Sequence, residues 1–442
     1  RGGLVSHAAV VARGWGTPAI VGAESLKIED HQFSVDDHVV AQGDWIALDG
    51  ATGEIMLGKH DLTASTPPAE FHIILKWADE IRKGKLSVRT NADTAEDARK
   101  ARELGAEGIG LCRTEHMFLA PERLPVVRRM ILADTEAEET SALEELRQAQ
   151  KEDFVSLLTE MSGLPVTVRL LDPPLHEFLP HINDLEIQKA TGGLSTEEET
   201  LLNAAHEWSE VNPMLGTRGV RLGVVKPGLY AMQVRALMEA ADEVSAKGLQ
   251  PIVEVMIPLT VTREELALAR SWVEEVLSDI NSRPLPSAKK GAKPSKRPKV
   301  SIGTMIETPR AAIRADEMAE AADFFSFGTN DLTQMTFGFS RDDVESRMMP
   351  LYLEAGLLKR NPFESVDQTG VGELVQMAVQ RGRKAKKSLK LGVCGEHGGD
   401  PESIAFFYRA GLDYVSCSPY RVPIARLSAA QAVIGGDKVE TK

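Results

Sequence analysis

The sequence predicts an α/β protein: a (β/α)8 TIM barrel preceded by part of a smaller α/β domain. Two observations indicate the barrel. From residue 86 onwards, eight short apolar segments alternate with segments of helical pattern, as repeated βα units do. Polar and charged residues directly follow several of these segments, and such folds carry their chemistry at the carboxyl ends of the strands. A third observation, a run of short strands and tight turns before residue 58, indicates the smaller domain.

The domain boundaries follow these changes of pattern. We expect part of a small α/β domain over residues 1–59, a linker over 60–84 and the barrel over 85–442. Within the small domain, the pattern predicts a helix over residues 7–13 and strands over 18–21, 39–40, 45–48 and 54–57. Because residue 1 is Arg and the chain enters a motif at once, we expect a fragment whose upstream part is missing.

The predicted barrel strands are short apolar runs, as expected for parallel strands that are covered on both faces. They lie at residues 86–91, 107–113, 166–171, 252–257, 300–306, 324–328, 390–394 and 414–417. Two further stretches stand out between them. The charged stretch 134–152 predicts a solvated helix, and residues 282–298, rich in Lys, Pro and Ser, predict a flexible surface loop.

The overall composition limits the partners. The formal net charge of −14 argues against a nucleic-acid surface, so an anionic substrate would need a local arginine cluster. The sequence contains no run of eighteen apolar residues, so we expect no membrane partner. The three cysteines, Cys112, Cys394 and Cys417, form no CxxC pair, and we therefore expect a reducing compartment, the cytoplasm.

The sixth predicted strand delivers the most informative polar residues. Its apolar run, residues 324–327, ends at Gly328, and Thr329, Asn330 and Asp331 follow directly. A carboxylate, a carboxamide and exposed backbone N–H groups at the end of a strand suit a divalent metal and an anion.

Other strand ends carry arginines and a second carboxylate. Arg113 and Arg169 lie on the second and third strands, Arg218 follows the third, and Glu307 ends the fifth. Arginine binds phosphate or carboxylate in planar, bidentate geometry, while Glu307 and Asp331 offer hard oxygen ligands for Mg2+. Together they predict a phosphorylated carboxylic acid held beside a metal. Taken singly, each arginine could form a surface salt bridge and each carboxylate could cap a helix.

Two further residues suit chemical roles. Cys394 follows the seventh strand and precedes several glycines, so its thiol could act as a general acid or base, or could be a small core residue. His7 starts a helix of small residues, and helix N-termini favour anions, so His7 could carry a phosphoryl group transiently or be structural. Arg13 could pair with that phosphate or cap the end of the helix.

The motifs resemble a known family. Residues 2–13 resemble the phosphohistidine motif of the phosphoenolpyruvate-utilising enzymes, and residues 323–334 match the second signature of that family. Within the family, the chain resembles the pyruvate, phosphate dikinase branch at residues 110–118, 169–178, 212–218 and 392–401. The resemblance covers nearly the whole chain.

The resemblance implies a swivelling histidine domain and a barrel that together transfer a phosphoryl group, reversibly, from phosphohistidine to the enolate of pyruvate at Mg2+. The product is phosphoenolpyruvate (PEP). The whole reaction of this branch converts ATP, phosphate and pyruvate into AMP, diphosphate and PEP. Its ATP half belongs to an upstream ATP-grasp domain, which we expect to be missing here. The resemblance also implies a homodimer formed through the barrels.

The resemblance assigns roles residue by residue. His7 is the phosphocarrier, and Cys394 exchanges a proton with C3 of the enolate. Glu307 and Asp331 bind Mg2+ and substrate. A cysteine suits a proton exchanged with carbon because its pKa lies near working pH. The remaining substrate-binding residues are Arg113, Arg169, Arg218, Gly328, Thr329 and Asn330.

One position departs from the family pattern. Val5 stands where the family usually has Thr, which in plant dikinases is the regulatory phosphorylation site, so we expect that switch to be absent. Three alternatives remain open: a PEP synthase, an enzyme I-type PEP–protein phosphotransferase, and a barrel that only senses PEP. The second would need a helical insertion around His7 for its protein partner.

Overall fold

A computed structural model describes residues 19–23, 25–49, 53–60, 69–285 and 297–436. The chain divides into two compact units, residues 1–77 with 338–361 and residues 78–337 with 362–442, and each is described by itself. Within the described ranges, no helix is both long enough and apolar enough to cross a membrane.

The first unit contains two small antiparallel sheets. One has the order β1 (Lys27–Glu29), β2 (Gln32–Val35), β3 (His38–Ala41), and the other pairs β4 (Ile46–Asp49) with β5 (Glu54–Leu57). Strands β3, β4 and β5 coincide with predicted strands to within two residues.

The prediction of a strand over residues 18–21 is wrong for residues 19–21, which are irregular. The β-branched Ile20 and Val21 favour a strand, but propensity reports how a side chain fits a sheet, and the backbone also needs a partner strand. The sequence analysis missed β1 and β2 because exposed polar and charged residues break their apolar pattern. The helix predicted over residues 7–13 lies outside the described residues.

The second unit is a closed barrel of eight parallel strands, and the prediction of a (β/α)8 barrel is confirmed. The strands follow chain order around the barrel, and the last one pairs with the first. They are β6 (Ser87–Asn91), β7 (Ile109–Arg113), β8 (Pro165–Arg169), β9 (Ile252–Ile257), β10 (Ser301–Ile306), β11 (Phe324–Phe327), β12 (Lys390–Val393) and β13 (Tyr414–Cys417).

Helices connect the strands of the barrel unit, and a few helices belong to the first unit. The described α-helices are Ala69–Arg82, Ala95–Glu103, Glu115–Phe118, Leu124–Ile131, Glu136–Glu160, Ile182–Thr191, Thr196–Glu207, Val220–Val225, Pro227–Ala246, Arg263–Ser282, Pro309–Ile313, Ala315–Glu320, Thr329–Phe337, Arg341–Val344, Met348–Glu354, Val371–Ala385, Pro401–Ala410 and Val422–Gly435. Short 3-10 helices lie at Leu175–Phe178, Pro213–Leu215, Glu396–Gly399 and Pro419–Arg421.

The helix predicted over the charged stretch 134–152 is present and longer, at Glu136–Glu160. Thr135 starts it with a capping box, in which its side chain and that of Glu138 each satisfy a backbone N–H group. The helix is not solvated all round, because residues such as Phe154 bury one face. Of the predicted basic loop 282–298, residues 286–296 lie outside the described residues.

Buried charges fill part of the barrel interior. Glu254 Oε2 accepts hydrogen bonds from Arg89 Nη1 (2.8 Å) and Thr167 Oγ1 (2.7 Å), and its Oε1 pairs with Lys390. The Arg89 guanidinium lies 4.1 Å from the centre of the Tyr414 ring. A separate apolar cluster points into the same interior and includes Leu111, Met256, Met305, Phe324 and Cys394. Its last member brings the cluster to the carboxyl ends of the strands.

Candidate active site

Gly328 joins β11 to the helix Thr329–Phe337 at the carboxyl end of the barrel. Its amide donates to Ile306 O (3.2 Å), so that group belongs to the sheet. A Cβ on Gly328 would overlap Glu307 Oε2 and would lie 2.6 Å from Met305 Cε. Because Gly328 has no side chain, the Glu307 carboxylate can lie against its backbone.

The next three residues open the helix, where the first backbone N–H groups have no partner within the helix. Thr329 is fully buried, and Asn330 Oδ1 accepts a hydrogen bond from Glu396 N (3.3 Å). The side chain of Asp331 points to Arg218. The end of β11 thus places the start of a helix beside a carboxylate.

Glu307 is fully buried just beyond β10. Its Oε1 accepts a hydrogen bond from Leu259 N (2.6 Å), whereas its Oε2 has no hydrogen-bond partner among the described residues. Burial, followed by the negative charges of Asp331 and Asp172, raises the pKa of Glu307 to about 8. The carboxyl group is therefore held in a position where its charged form needs a positive partner.

Neither carboxylate serves as a helix cap. Thr308 caps the helix Pro309–Ile313, since its Oγ1 accepts from Ala311 N at 3.2 Å. Asp331 is the third residue of its own helix, and its side chain pairs with Arg218. The alternative that either carboxylate caps a helix is therefore wrong.

Arg218 and Arg169 share one carboxylate, that of Asp172. Arg218 donates to Asp172 Oδ2 (2.6 Å) and to Asp331 Oδ1 (3.0 Å). Arg169 Nη1 lies 3.0 Å from Asp172 Oδ2, and its Nη2 pairs with Glu115. Burial alone would raise the pKa of Asp172, but the two arginine charges more than offset it, so this pKa is lowered. These are buried ion pairs and not surface salt bridges.

The charges in this cluster fit a divalent cation. Two guanidinium groups, from Arg169 and Arg218, face three carboxylates, from Glu115, Asp172 and Asp331. Glu307 adds a fourth acidic group with an oxygen that lacks a partner among the described residues. Hard carboxylate oxygens of this kind are the ligands that Mg2+ takes in proteins, and a cation there would offset the excess negative charge.

Arg113 lies at the edge of this cluster, with about a third of its side chain exposed. Asp93 holds it, accepting from the Arg113 backbone N (2.6 Å) and lying 3.4 Å from its Nη1. Asp93 also pairs with His116 Nδ1 (2.7 Å), and this hydrogen bond raises the pKa of His116. Of the three predicted arginines, Arg113 has the most exposed side chain and the longest ion pair, which suits a group that must turn to a ligand.

Cys394 follows β12 and is 2% exposed. Its thiol lies 3.8 Å from Phe327 O, and Asn91 Nδ2 donates to its carbonyl (3.0 Å). Burial raises the pKa of the Cys394 thiol to about 11, the nearby Ser326 hydroxyl opposes this, and the Glu307 charge adds to it. The expectation of a thiol pKa near working pH is therefore wrong for the protein without ligands. The residue is both part of the inner apolar cluster and within the electrostatic reach of Glu307.

The sequence analysis assigned no role to four residues that hold this site together: Asp93, Glu115, Asp172 and His397. Each stands one to three residues beyond a predicted strand or beyond a residue that was singled out. The signal that finds them is the same strand-end rule, applied to every polar residue rather than to arginines and metal ligands alone. His7, the predicted phosphocarrier, and Arg13 lie outside the described residues.

Comparison with known proteins identifies the family. Residues 69–434 match the PEP-binding domain of PEP-utilising enzymes, and residues 1–53 match the mobile domain of the same enzymes. The chain is 49% identical over 443 residues to "Pyruvate, phosphate dikinase 1, chloroplastic" of Oryza sativa subsp. japonica, which covers 98% of this chain and 45% of that protein.

Two further relatives give the same result. "Pyruvate, phosphate dikinase 1, chloroplastic" of Arabidopsis thaliana is 50% identical over 441 residues, covering 98% of this chain and 44% of that protein. "Pyruvate, phosphate dikinase 2" of Zea mays is 50% identical over 442 residues, covering 98% and 48%. The chain spans about half the length of these curated relatives. The resemblance predicted from the motifs is confirmed, and the chain belongs to the family of PEP-utilising enzymes.

Proposed function

We propose that this chain carries out the pyruvate half of the pyruvate, phosphate dikinase reaction. The observation that carries the proposal is the cluster at the carboxyl end of the barrel, where Arg169, Arg218, Glu307 and Asp331 meet and Cys394 lies within electrostatic reach. The names of the relatives, at about 50% identity, support the same reaction.

Glu307 and Asp331 would hold Mg2+. Glu307 Oε2, which has no hydrogen-bond partner in the described part of the chain, supports this assignment. Burial and then the charges of Asp331 and Asp172 raise the pKa of Glu307, which supports it as well. When bound, the metal would supply positive charge against the negative charge that develops during phosphoryl transfer. Because PEP is a multiply charged anion and the cluster already has more carboxylates than guanidinium groups, we infer that PEP binding depends on the metal.

Arg113, Arg169 and Arg218 would bind the phosphoryl and carboxylate groups of the substrate. The planar guanidinium group donates two parallel hydrogen bonds to such anions. Arg169 and Arg218 are held in place by Asp172, so their positions are set before a ligand arrives. Arg113 has a longer ion pair, with Asp93, and would turn to the ligand. The first N–H groups of the helix Thr329–Phe337, which the helix itself does not use, would add backbone donors.

Cys394 would move the proton. In the direction of pyruvate formation, the P–O bond of PEP breaks, a P–N bond to His7 forms, and the electron pair left on oxygen gives the enolate. The Cys394 thiol then donates its proton to C3, giving pyruvate and a thiolate that solvent reprotonates. A pKa of about 11 keeps the thiol protonated and ready for this direction. In the reverse direction, the thiolate would take that proton from the methyl group of pyruvate.

The complete reaction would also use ATP and phosphate, and it would form AMP and diphosphate. These ligands would bind in the part of the dikinases that lies outside the match to this chain. We further propose a homodimer that forms through the barrel, supported by exposed apolar side chains on its last helix and beside it: Tyr420, Ile424, Leu427 and Ile434. Free, buried cysteines support a reducing compartment such as the cytoplasm.

The proposal is tested by incubating the chain with phosphorus-labelled PEP and Mg2+. We expect acid-labile label on the protein together with released pyruvate, and we expect the His7→Ala variant to take up no label. Label that persists in the His7→Ala variant would remove His7 from the phosphocarrier role. Neither label nor pyruvate from the wild-type chain, in a sample shown to be folded by circular dichroism, would contradict the proposal.

A further inference from the structure

The segment that follows Cys394 is pressed against the start of the helix Thr329–Phe337. A Cβ on Gly395 would overlap Thr329 Oγ1 and would lie 3.0 Å from Thr329 N, so the backbone at Gly395 comes as close as a glycine allows. Next to it, Glu396 N donates to Asn330 Oδ1 (3.3 Å). The thiol-bearing end of β12 and the helix that carries Asp331 are therefore in direct contact.

His397 lies at the centre of this contact and is fully buried. Its Nε2 lies 2.8 Å from Pro362 O, and its Nδ1 lies 2.7 Å from Thr329 Oγ1. A carbonyl oxygen can only accept, so Nε2 carries a proton and donates it. The other ring nitrogen, Nδ1, faces the Thr329 hydroxyl, which is able to donate to it. The two hydrogen bonds hold the plane of the ring.

The position of the ring distinguishes it from an ordinary core histidine. His397 is three residues from Cys394 along the chain, and Thr329 is two residues from Asp331. The hydrogen bond between Thr329 and His397 therefore links two segments. One follows β12 and includes Cys394, and the other is the helix after β11 that carries Asp331. Where β11 and β12 end, a backbone hydrogen bond joins Cys394 N to Phe327 O (3.2 Å), and residues 329 and 397 lie beyond it.

We propose that His397 is a positioning residue, which holds the Cys394 thiol in register with the ligand site through its hydrogen bond to Thr329. The inference rests on the proposed function, since the thiol that His397 positions is the one that would exchange a proton with C3. Because the hydrogen bond sets the position of the thiol, its loss should slow proton transfer far more than it weakens ligand binding. Misplacement of a reacting group by about 1 Å lowers a rate by roughly a hundredfold.

The test compares two variants that each keep one of the two hydrogen bonds. In His397→Asn the amide oxygen can take the place of Nδ1 and accept from Thr329. In His397→Gln the longer amide can take the place of Nε2 and donate to Pro362 O. Thr329→Val removes the hydroxyl itself. His206→Asn is the matched control, because His206 is exposed and pairs with Glu186 at the surface.

Two quantities are measured for each full chain with Mg2+: deuterium exchange into the methyl group of pyruvate, and the Kd for PEP. We expect exchange to fall about tenfold to a hundredfold in His397→Gln and Thr329→Val, with the Kd for PEP changed less than about threefold in His397→Gln. We expect His397→Asn to retain most of the exchange and His206→Asn all of it. The double variant Thr329→Val with His397→Gln should be no slower than either single variant, because both remove one hydrogen bond.

The outcomes separate this inference from the function on which it rests. Normal exchange in His397→Gln, or exchange and PEP binding lost in the same proportion, would overturn the positioning role. Equal losses in His397→Asn and His397→Gln would overturn it as well, because the Thr329 contact would then not matter. If the wild-type chain neither binds PEP nor exchanges the pyruvate methyl protons, the proposed function fails, and the inference falls with it.

Discussion

At the scale of single residues, burial gives side chains in the site pKa values that differ from those of free side chains. The Cys394 thiol has its pKa raised to about 11, first by burial and then by the Glu307 charge, although Arg169 and Arg113 oppose the change. The thiol is therefore a proton donor at rest, and its conversion to a base depends on what binds beside it.

This state of Cys394 can be measured directly. At pH 9, where an ordinary thiol is about three-quarters ionised, we expect only on the order of 1% thiolate at Cys394 in the chain without ligands. The difference in ultraviolet absorbance between the wild-type chain and Cys394→Ser isolates this thiolate from those of the other two cysteines. Half-ionisation at pH 9 would show that burial does not control the thiol.

Glu307 leads to a second residue-scale prediction. Its pKa of about 8 means that the carboxyl group is mostly protonated at pH 7, and a metal ligand must lose that proton. We expect Mg2+ binding at pH 7 to release most of one proton, and to release much less at pH 9.5. Calorimetric titrations in buffers of different ionisation enthalpy give this number. Glu307→Gln should release none, and an unchanged release in that variant would remove Glu307 from the metal site.

The residue types at the site were readable from the sequence, whereas their partners were not. The arginines and the two carboxylates follow from the strand-end rule. The pairing of Asp172 with both Arg169 and Arg218, and of Asp93 with Arg113, depends on distances across the barrel that no local pattern encodes. The pKa of Cys394 was misjudged for the same reason, since burial is a property of the folded chain.

At the scale of elements, the junction between β11 and its helix is the tightest point of the site. Gly328 has no room for a side chain, because a Cβ would overlap Glu307 Oε2. We expect Gly328→Ala to displace the Glu307 carboxylate and to weaken Mg2+ binding by at least about tenfold, while the barrel still folds. Gly192→Ala is the control, since a Cβ there meets nothing closer than 4.0 Å. Equal Mg2+ affinities in the two variants would show that the close contact does not matter.

The elements themselves were predictable to different degrees. The barrel strands can be predicted from the sequence, because strands that are buried on both faces consist of continuous apolar runs. Strand β1 is exposed and mostly charged, and β2 is half-buried with two polar residues, so neither has a continuous apolar run. Ile20 and Val21 have the apolar, β-branched side chains typical of a strand, but the backbone there is irregular. Apolar runs therefore predict which segments are buried. They predict a strand only where the buried segment also pairs with a neighbouring strand.

At the scale of the whole molecule, the barrel is closed around a buried ion network as well as an apolar core. Burial would raise the pKa of Glu254, but the charges of Arg89 and Lys390 lower it to about 2. A carboxyl group with a lowered pKa stabilises the folded state above its unfolded pKa, near 4.5, and that stabilisation is lost as the pH falls towards 2.

We therefore expect Glu254→Gln to lower the free energy of unfolding by about 3–5 kcal/mol at pH 7, because it leaves the buried Arg89 and the part-buried Lys390 without their partner. The difference from the wild-type chain should shrink as the pH falls from 4.5 to 2.5. Urea unfolding at several pH values measures both effects. Glu264→Gln, at an exposed position, should change little. A difference that does not vary with pH would contradict the assigned role of Glu254.

The central claim is that one site at the carboxyl end of the barrel holds Mg2+ and PEP together. Calorimetric titration of PEP into the wild-type chain and into Asp331→Asn, each with and without Mg2+, tests it most directly. We expect PEP binding to require Mg2+ in the wild-type chain and to be weakened at least about tenfold in Asp331→Asn, because the metal and the ligand share that carboxylate. PEP binding that is the same with and without Mg2+, and unchanged in Asp331→Asn, would contradict the claim.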